Sequence, residues 1–393
     1  MENFIWHIPT TIHFGKGQMA VLGESITHAG GSRVLLAYGG GSIKRNGVYD
    51  QVAAQLDAAG LPFVELSGIR PNPRLESVEQ GVAACREHGL DFVLAVGGGS
   101  VIDCSKAIAG SARLDGPPME LFLRKAEPVN ALPLGAVLTM AGTGSEMNAA
   151  MVVTAGPDRK KYALAHPSLF PAFSILDPTY TFTLPPEQTA AGCADIISHC
   201  MESYLLPGRS TDVQDRMNEG VMRAVLDNAA KVLADPEDYD ARAVIMWASS
   251  MALAGAQFML GKQRCPLPVH QMGHELSSLY DMTHGLSLAL VTPAWMRRTM
   301  ALAPGHTPLF ARLARNVFGP QVADSDDARA AEAGVQAWEA WFRSLGLPGR
   351  LRDAGVEEDR LEYLAEKSVE RGPLGLLAPM GRQEVLRVFR DAY

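Results

Sequence analysis

The stretch "DFVLAVGGGSVIDCSK", from Asp91 to Lys106, decides the fold. Its apolar first half predicts a buried β-strand that ends at Gly97, Gly98 and Gly99. A segment with helical character follows the glycines directly. A strand that leads straight into a helix is typical of parallel sheets, because parallel neighbours need a crossover connection.

The same alternation of strand and helix continues up to about residue 184. It predicts a parallel, doubly wound α/β sheet covered by helices on both faces. The other predicted strands are "RVLLAYGGG" (33–41), "LPFVEL" (61–66), "LPLGAVLTMAGTGSE" (132–146) and "FSILDP" (173–178), and the predicted helices are 49–60 and 73–89.

Beyond residue 184 long helical periodicities replace the strands. Helices are predicted over 186–206, 212–233, 240–260 and 267–280. We therefore expect two domains, an α/β domain over residues 1–184 and an all-helical domain over residues 185–393.

Composition narrows the possible partners and compartments. The net charge is −8 and the longest basic run is Arg159 to Lys161, which argues against nucleic acid or an anionic membrane as a partner. The five cysteines, Cys265 among them, are scattered and form no CxxC pair, and the N-terminus shows no signal-like pattern. Both features favour a reducing cytoplasm. The uncharged segment 243–260 fits a buried helix better than a membrane span, since it stands alone and contains serines and a glutamine.

The glycine turn after the strand in this opening stretch is a candidate phosphate site. Gly97, Gly98 and Gly99 let a phosphate approach the backbone, and Ser100 adds a hydroxyl. Asp103 and Lys106 follow on the first turns of the helix. The pattern is not GxGxxG, so the alternative of a simple tight turn stays open.

Another turn, "YGGGSIKRNG" (38–47), bears on the choice of dinucleotide. Many nicotinamide-binding sheets have an acid here that holds the ribose hydroxyls. This chain has Gly40, Gly41 and Ser42, with Lys44 and Arg45 close behind. Free amides, a hydroxyl and cations suit a 2′-phosphate, so NADP is favoured over NAD; alternatively, the two cations simply face water.

"TMAGTGSE" (139–146) is a third turn of small residues after an apolar strand. Thr139, Thr143 and Ser145 supply hydroxyls for a pyrophosphate or a nicotinamide. All three turns follow predicted parallel strands, so they belong at the edge where open α/β sheets bind ligands. Together they predict a nucleotide site.

Histidines cluster in "VHQMGHELSSLYDMTHG" (269–285), which contains His270, His274 and His284. On the apolar helix "GCADIISHCMES", Asp195 and His199 are four residues apart and so share a face. A carboxylate with three imidazoles suits Zn²⁺ or Fe²⁺. Spacing alone does not choose between His270 and His274, and satisfied core histidines and a surface aspartate remain alternatives.

With these motifs in order, the sequence resembles the iron-containing, or group III, alcohol dehydrogenase family. The resemblance runs from "FGKG" through "GGGSVIDCSK", "TMAGTGSE", "ILDPTYTFTLP" and "ADIISH" to "HQMGHEL" and "THG". It is closest to the butanol dehydrogenase-like branch of NADP-dependent aldehyde reductases, which shares the "YGGGS" turn.

The resemblance implies an N-terminal dinucleotide-binding domain, an all-helical C-terminal domain and a deep cleft between them. It implies one divalent metal, Fe²⁺ or Zn²⁺, NADP(H), an alcohol or aldehyde substrate, and a homodimer. His274 would lie beside the substrate and relay a proton or orient a partner. The metal ligands would be Asp195, His199, His270 and His284. The cofactor contacts would be Gly40, Gly41, Ser42, Gly97, Gly98, Gly99, Ser100, Asp103, Thr139, Thr143, Ser145 and Lys161.

The expected activity is hydride transfer between NADP(H) and a primary alcohol or aldehyde, mainly as aldehyde reduction. The mostly apolar segments 265–280 and 176–185 fit aliphatic or aromatic aldehydes, with Phe258 and Cys265 as candidates to shape the substrate site. Alternatives on the same fold are a glycerol dehydrogenase and a dehydroquinate synthase. A metal-dependent hydrolase and a non-catalytic metal-binding protein are alternatives of other classes.

Overall fold

The computed structural model describes residues 1–253, 259–263, 267–319, 322 and 326–393. Contacts divide the chain into two compact units. The strand unit comprises His7–Leu184 and Pro236–Gly255, and the helical unit comprises Met1–Trp6, Pro185–Asp235 and Ala256–Tyr393. The division into residues 1–184 and 185–393 stays a prediction.

The strands of this unit are β1 Thr11–Phe14, β2 Val34–Tyr38, β3 Phe63–Leu66, β4 Phe92–Gly97, β5 Leu134–Leu138, β6 Ala150–Ala155, β7 Lys160–Ala165 and β8 Phe173–Leu176. Six of them form a parallel sheet with the order β1-β8-β5-β4-β2-β3. β2, β4, β5 and β8 are buried along their whole length, as expected of strands covered on both faces. The predicted fold class is confirmed.

Three strands were not predicted. β1 is short and half exposed, so it lacks the apolar run that marks the central strands. β6 and β7 form a separate antiparallel hairpin. Its turn contains Gly156 and Arg159, both at positive φ, and the basic residues that begin β7 hid its strand character.

The helices of the strand unit are α1 Leu22–His28, α2 Ser42–Arg45, α3 Val48–Ala58, α4 Leu75–Glu87, α5 Gly99–Ser111, α6 Met119–Phe122 and α9 Tyr239–Leu253. α5 starts within the glycine turn and is buried on nearly every side, which explains its lack of a polar stripe. The helix predicted over 240–260 corresponds to α9, which is described as far as Leu253. Residues 254–258, which include Phe258, and Cys265 lie outside the described residues.

The helices of the helical unit are α7 Pro186–Tyr204, α8 Asp212–Ala234, α10 Pro268–Tyr280, α11 His284–Leu302, α12 Thr307–Phe318, α13 Asp327–Ser344, α14 Leu361–Ser368 and α15 Arg382–Ala392. α7 is buried from Thr189 to Tyr204 and forms the core of the unit. In the described ranges, no helix combines the length and the apolar character that a bilayer crossing requires.

α11 begins in direct contact with the backbone of α7. A Cβ atom on Gly285 would lie 1.8 Å from the carbonyl oxygen of Ala191, so a side chain does not fit there. The glycine therefore sets how closely the start of α11, with His284, approaches α7.

We expect Gly285→Ala to force α11 away from α7 and to lower the free energy of unfolding by at least about 1–3 kcal/mol, as other overpacked contacts do. Gly220→Ala is a matched control, because Gly220 lies within α8 and a Cβ atom added there would meet no heavy atom within 4 Å. It should raise the stability by about 0.5–1 kcal/mol through the helix preference of alanine. Urea unfolding followed by circular dichroism checks both; equal stability of the two variants would contradict this packing argument.

Candidate metal and cofactor sites

Asp195 and His199 lie one turn apart on α7, and both side chains are buried. Asp195 Oδ1 lies 3.7 Å from His199 Nδ1. The side chains are only 4% and 5% exposed, which excludes the alternative of a surface aspartate. The i, i+4 spacing therefore places a carboxylate and an imidazole together within the core of the helical unit.

Two further imidazoles meet the same carboxylate oxygen. His270, near the start of α10, places Nε2 3.8 Å from Asp195 Oδ1. His284, the first residue of α11, places Nε2 3.9 Å from it. One oxygen of Asp195 thus faces three imidazole rings carried by three different helices.

His274 lies beside this group, one turn after His270 on α10. Its ring centre is 5.2 Å from that of His284 and 6.4 Å from that of His270. His270, by contrast, stacks on His199 at 4.6 Å. Donor atoms of Asp195, His199 and His270 lie within 4.8 Å of one another, close enough to share one cation. The structure thus groups His270 with the carboxylate and places His274 at the side.

The cluster suits a divalent cation chemically. Two ligands about 2.1 Å from a tetrahedral ion lie about 3.4 Å apart, close to the separations around Asp195. Burial lowers the pKa of His199 well below its usual value, and His270 nearby adds to this effect. A neutral imidazole is the form that binds a metal. One carboxylate with three imidazoles is a donor set for zinc or ferrous iron.

Glu202 was missed by the sequence reasoning. It follows His199 by three residues on α7, and its buried carboxylate contacts His270 Nδ1. Its other oxygen accepts a 2.7 Å hydrogen bond from the amide of Val269. The i+3 spacing from His199 was the available signal.

In the strand unit the three glycine- and hydroxyl-rich turns meet at one edge of the sheet. They follow β2, β4 and β5, which are neighbours in the order β5-β4-β2. Tyr38 pairs with Val96, and Gly97 pairs with Leu138, so the three strands end nearly level. The carboxyl edge of a parallel sheet is where such folds bind ligands.

The turns after β4 and β5 are packed together through glycines. A Cβ atom on Gly99 would lie 2.3 Å from Thr143 Oγ1, and one on Gly98 would lie 3.1 Å from Met140 Cβ. The amide of Thr139 donates a 3.0 Å hydrogen bond to the carbonyl of Gly97. Gly98 and Gly99 therefore allow the turns after β4 and β5 to approach each other closely. Ser100 lies in the first turn of α5.

Asp103 and Ser145 are engaged with the protein itself. Asp103 Oδ1 accepts a 2.6 Å hydrogen bond from Ser145 Oγ, and Oδ2 accepts one of 2.9 Å from the amide of Val152. Burial raises the pKa of Asp103. Direct contact of these two residues with a cofactor stays a prediction, and the observed bonds give Asp103 a role in fixing the turn and the hairpin.

Lys106, on α5, forms hydrogen bonds to the same turn. Its fully buried ammonium donates to the carbonyl oxygens of Ser145 and Ala150, at 2.7 and 2.8 Å, and to Asn148 Oδ1 at 3.1 Å. Burial lowers its pKa to about 8, against the opposing charges of Asp103 and Glu146. One ammonium group thereby bonds to three residues of the segment between Ser145 and Ala150.

Helix α9 holds the other side of this loop. Ser249 Oγ accepts a 2.7 Å hydrogen bond from the amide of Gly142, and Ser250 Oγ donates a 2.5 Å bond to Glu146 Oε1.

Lys161, predicted to approach the nicotinamide, lies half-buried on β7 opposite Thr154. Asp103 bonds to the facing strand of that hairpin.

The turn after β2 carries an additional charged cluster. Gly40 and Gly41 precede α2, which begins with Ser42; the space that a Cβ atom on Gly40 would take is open. Lys44 Nζ lies 3.0 Å from Glu65 Oε2 and 4.3 Å from the ring centre of Tyr49. The predicted cation is therefore engaged by an acid of β3.

The hydroxyl of Tyr38 donates to Glu65 as well. This hydrogen bond, with those from Tyr49 and Lys44, lowers the pKa of Glu65 to about 2. Hydrogen bonding of Lys44 with Tyr38 and with Glu65 raises the pKa of Lys44. Glu65 is thus a fixed negative charge beside the turn, a feature that sequence reasoning missed because the residue lies on a neighbouring strand.

Comparison with known proteins identifies the family. Residues 9–178 match the family model described as iron-containing alcohol dehydrogenase, and residues 189–393 match the Fe-containing alcohol dehydrogenase family, C-terminal. The chain is 44% identical to NADH-dependent butanol dehydrogenase B of Clostridium acetobutylicum, with 100% of both chains covered. It is 38% identical to the NADPH-dependent aldehyde reductase YqhD of Escherichia coli, over 95% of this chain and 94% of that protein.

Among solved structures, NADH-dependent butanol dehydrogenase A of Thermotoga maritima superposes with a TM-score of 0.94 at 37% identity. The match covers 100% of this chain and 99% of that one. The chain belongs to the iron-containing alcohol dehydrogenase family.

Proposed function

We propose that the protein is a metal-dependent oxidoreductase that transfers a hydride between NADP(H) and a primary alcohol or aldehyde, mainly in the direction of aldehyde reduction. The observation that carries the proposal is the convergence of three imidazoles on the buried oxygen of Asp195. Membership of a family of alcohol dehydrogenases supplies the reaction class.

The metal ligands we propose are Asp195, His199, His270 and His284, and the metal is Fe²⁺ or Zn²⁺. When bound, such a cation acts as a Lewis acid that polarises a carbonyl or lowers the pKa of an alcohol. The four side chains would fix its position, because each is held by a different turn of α7, α10 or α11.

The cofactor contacts we propose lie on the three turns at the carboxyl edge of the sheet. The nicotinamide supplies or accepts the hydride. Backbone amides would hold its phosphates at Gly97, Gly98, Gly99 and Ser100, and hydroxyls would line the site at Thr139 and Thr143. Asp103 and Ser145 would position this surface from within, and Lys161 would approach from the hairpin.

NADP(H) is favoured over NAD(H) in this proposal because the turn after β2 has glycines and Ser42 where a ribose-binding acid commonly stands. Two relatives differ in this respect, as one is called NADH-dependent and the other NADPH-dependent. Glu65 works against a 2′-phosphate, since it neutralises Lys44 beside that turn. The preference for NADP(H) therefore depends on two opposing effects, attraction of the 2′-phosphate by the backbone amides of this turn and repulsion by Glu65.

His274 is the proposed proton relay. Its ring centre lies 5.2 Å from that of His284, one of the proposed metal ligands. An imidazole ordinarily titrates near about pH 6.5, so it can give a proton to an alkoxide and recover it from water. We further propose a homodimer in a reducing cytoplasm, in keeping with the buried thiols of Cys85, Cys104, Cys193 and Cys200, which form no disulfide.

Replacing Asp195 with alanine should remove metal and activity together. We expect elemental analysis to find about one metal ion per wild-type chain, and NADPH oxidation by a panel of aliphatic and aromatic aldehydes to fall more than about 100-fold in Asp195→Ala. Asp212→Ala, which removes an exposed carboxylate of α8, is the control and should behave as wild type. Full turnover by metal-free Asp195→Ala would refute the proposed mechanism.

Replacing His274 with alanine should separate proton transfer from metal binding. The variant should keep its metal, lose about 10²–10⁴-fold in kcat, and lose the imidazole limb of the pH profile, because general acid–base catalysis contributes about that much. His306→Ala removes an exposed histidine of the same unit as a control. A lowered kcat with an unchanged pH profile would assign His274 an orienting role only, and an unchanged kcat would refute the proposed relay.

Replacing Glu65 with glutamine should raise the preference for NADPH. The variant releases Lys44 and removes a negative charge beside the turn, so the ratio of kcat/KM for NADPH to that for NADH should rise roughly two- to fivefold at low salt. Glu87→Gln makes the same charge change at the end of α4, which leads into β4 at the opposite edge. A ratio that moves equally in both variants would show a net-charge effect with no role for Glu65.

A further inference from the structure

Glu202 is a buried carboxylate whose contacts are directed at one imidazole. It lies on α7, and its side chain is 1% exposed. A carboxylate withdrawn from water to this degree costs several kcal/mol unless strong hydrogen bonds replace its hydration. Its described partners are the amide of Val269 and Nδ1 of His270.

The two contacts of Glu202 have different characters. Val269 is in the first turn of α10, where backbone amides have no intrahelical acceptor. This amide only donates, so Glu202 Oε1 must accept the 2.7 Å hydrogen bond. The second oxygen is thereby fixed against Nδ1 of the next residue, His270.

We infer that Glu202 is a positioning residue that sets the tautomer of His270. A neutral imidazole has one N–H, and a carboxylate acceptor at Nδ1 keeps the proton there. The lone pair is then on Nε2, the atom that lies 3.8 Å from Asp195 Oδ1. The inference rests on the proposed metal site, for which Nε2 of His270 must be unprotonated.

A purely structural role is the alternative, in which Glu202 only caps the start of α10. Glutamine separates the two roles because it has the same shape. Its carbonyl oxygen can still accept from the amide of Val269, so the cap is kept. Its NH₂ group then points at Nδ1 of His270, which must accept, and the imidazole proton moves to Nε2.

The test is metal binding by Glu202→Gln, measured by titrating Zn²⁺ into the full-length, chelator-stripped protein in competition with a chromophoric chelator. We expect the Kd for Zn²⁺ to rise about 10–100-fold, as is typical when the carboxylate behind a ligating histidine is lost. The thermal unfolding midpoint of the metal-free variant should stay close to that of wild type.

Glu219→Gln is the matched control. Glu219 is an equally buried glutamate on α8, bonded to Tyr204, Asn316 and Arg216. Its replacement should lower stability and leave the Kd for Zn²⁺ unchanged. A wild-type Kd in Glu202→Gln would overturn the inference. Wild-type protein that binds no Zn²⁺ would instead refute the proposed metal site, so the two failures are distinguishable.

A measurement on the unmutated, zinc-loaded enzyme tests the inference even if the Glu202→Gln variant misfolds. Long-range ¹H–¹⁵N spectra of protein labelled at histidine report which ring nitrogen carries the proton. His270 should show a protonated Nδ1 and a metal-bound Nε2. A protonated Nε2 on His270 would overturn the inference whatever the fate of the glutamine variant.

Discussion

The helical unit is built around one buried group, the carboxylate of Asp195. That group has been withdrawn from water, which costs several kcal/mol for an ion without compensation. α7 supplies His199 one turn away, and α10 and α11 direct His270 and His284 at the same oxygen. Because each ring comes from a different helical segment, the geometry of the cluster reports directly on how these helices pack.

Much of this cluster follows from local sequence rules. The i, i+4 spacing of Asp195 and His199 on an apolar helix fixes their shared face. The choice between His270 and His274 does not follow, since both share a face of α10. Packing distinguishes the two rings, as His270 stacks on His199 whereas His274 stacks on His284. Glu202 shares a face of α7 with His199, but its contact with His270 spans 68 positions and follows from no spacing rule.

The strand unit shows the same division between local and long-range information. Apolar runs that end in glycines or small residues predicted β2, β4 and β5, because buried parallel strands carry a strong signal. β1 and the hairpin of β6 and β7 carry a weak one, as they are short or partly polar. The pairing of Lys44 with Glu65 joins consecutive strand–helix segments across the sheet, and no spacing rule along the chain reveals it.

The position of α9 in the chain has a consequence for biosynthesis. Ser249 and Ser250 hold the loop of Gly142 and Glu146, across 107 and 104 residues of sequence. A ribosome therefore releases all six strands of the parallel sheet, and the hairpin of β6 and β7, well before the helix that bonds to its ligand-binding edge. Contacts of such separation form late because loop closure opposes them. The nascent chain must wait for α7 and α8 to be made before that edge becomes rigid, so folding of this part of the molecule completes after, and not during, synthesis of its own strands.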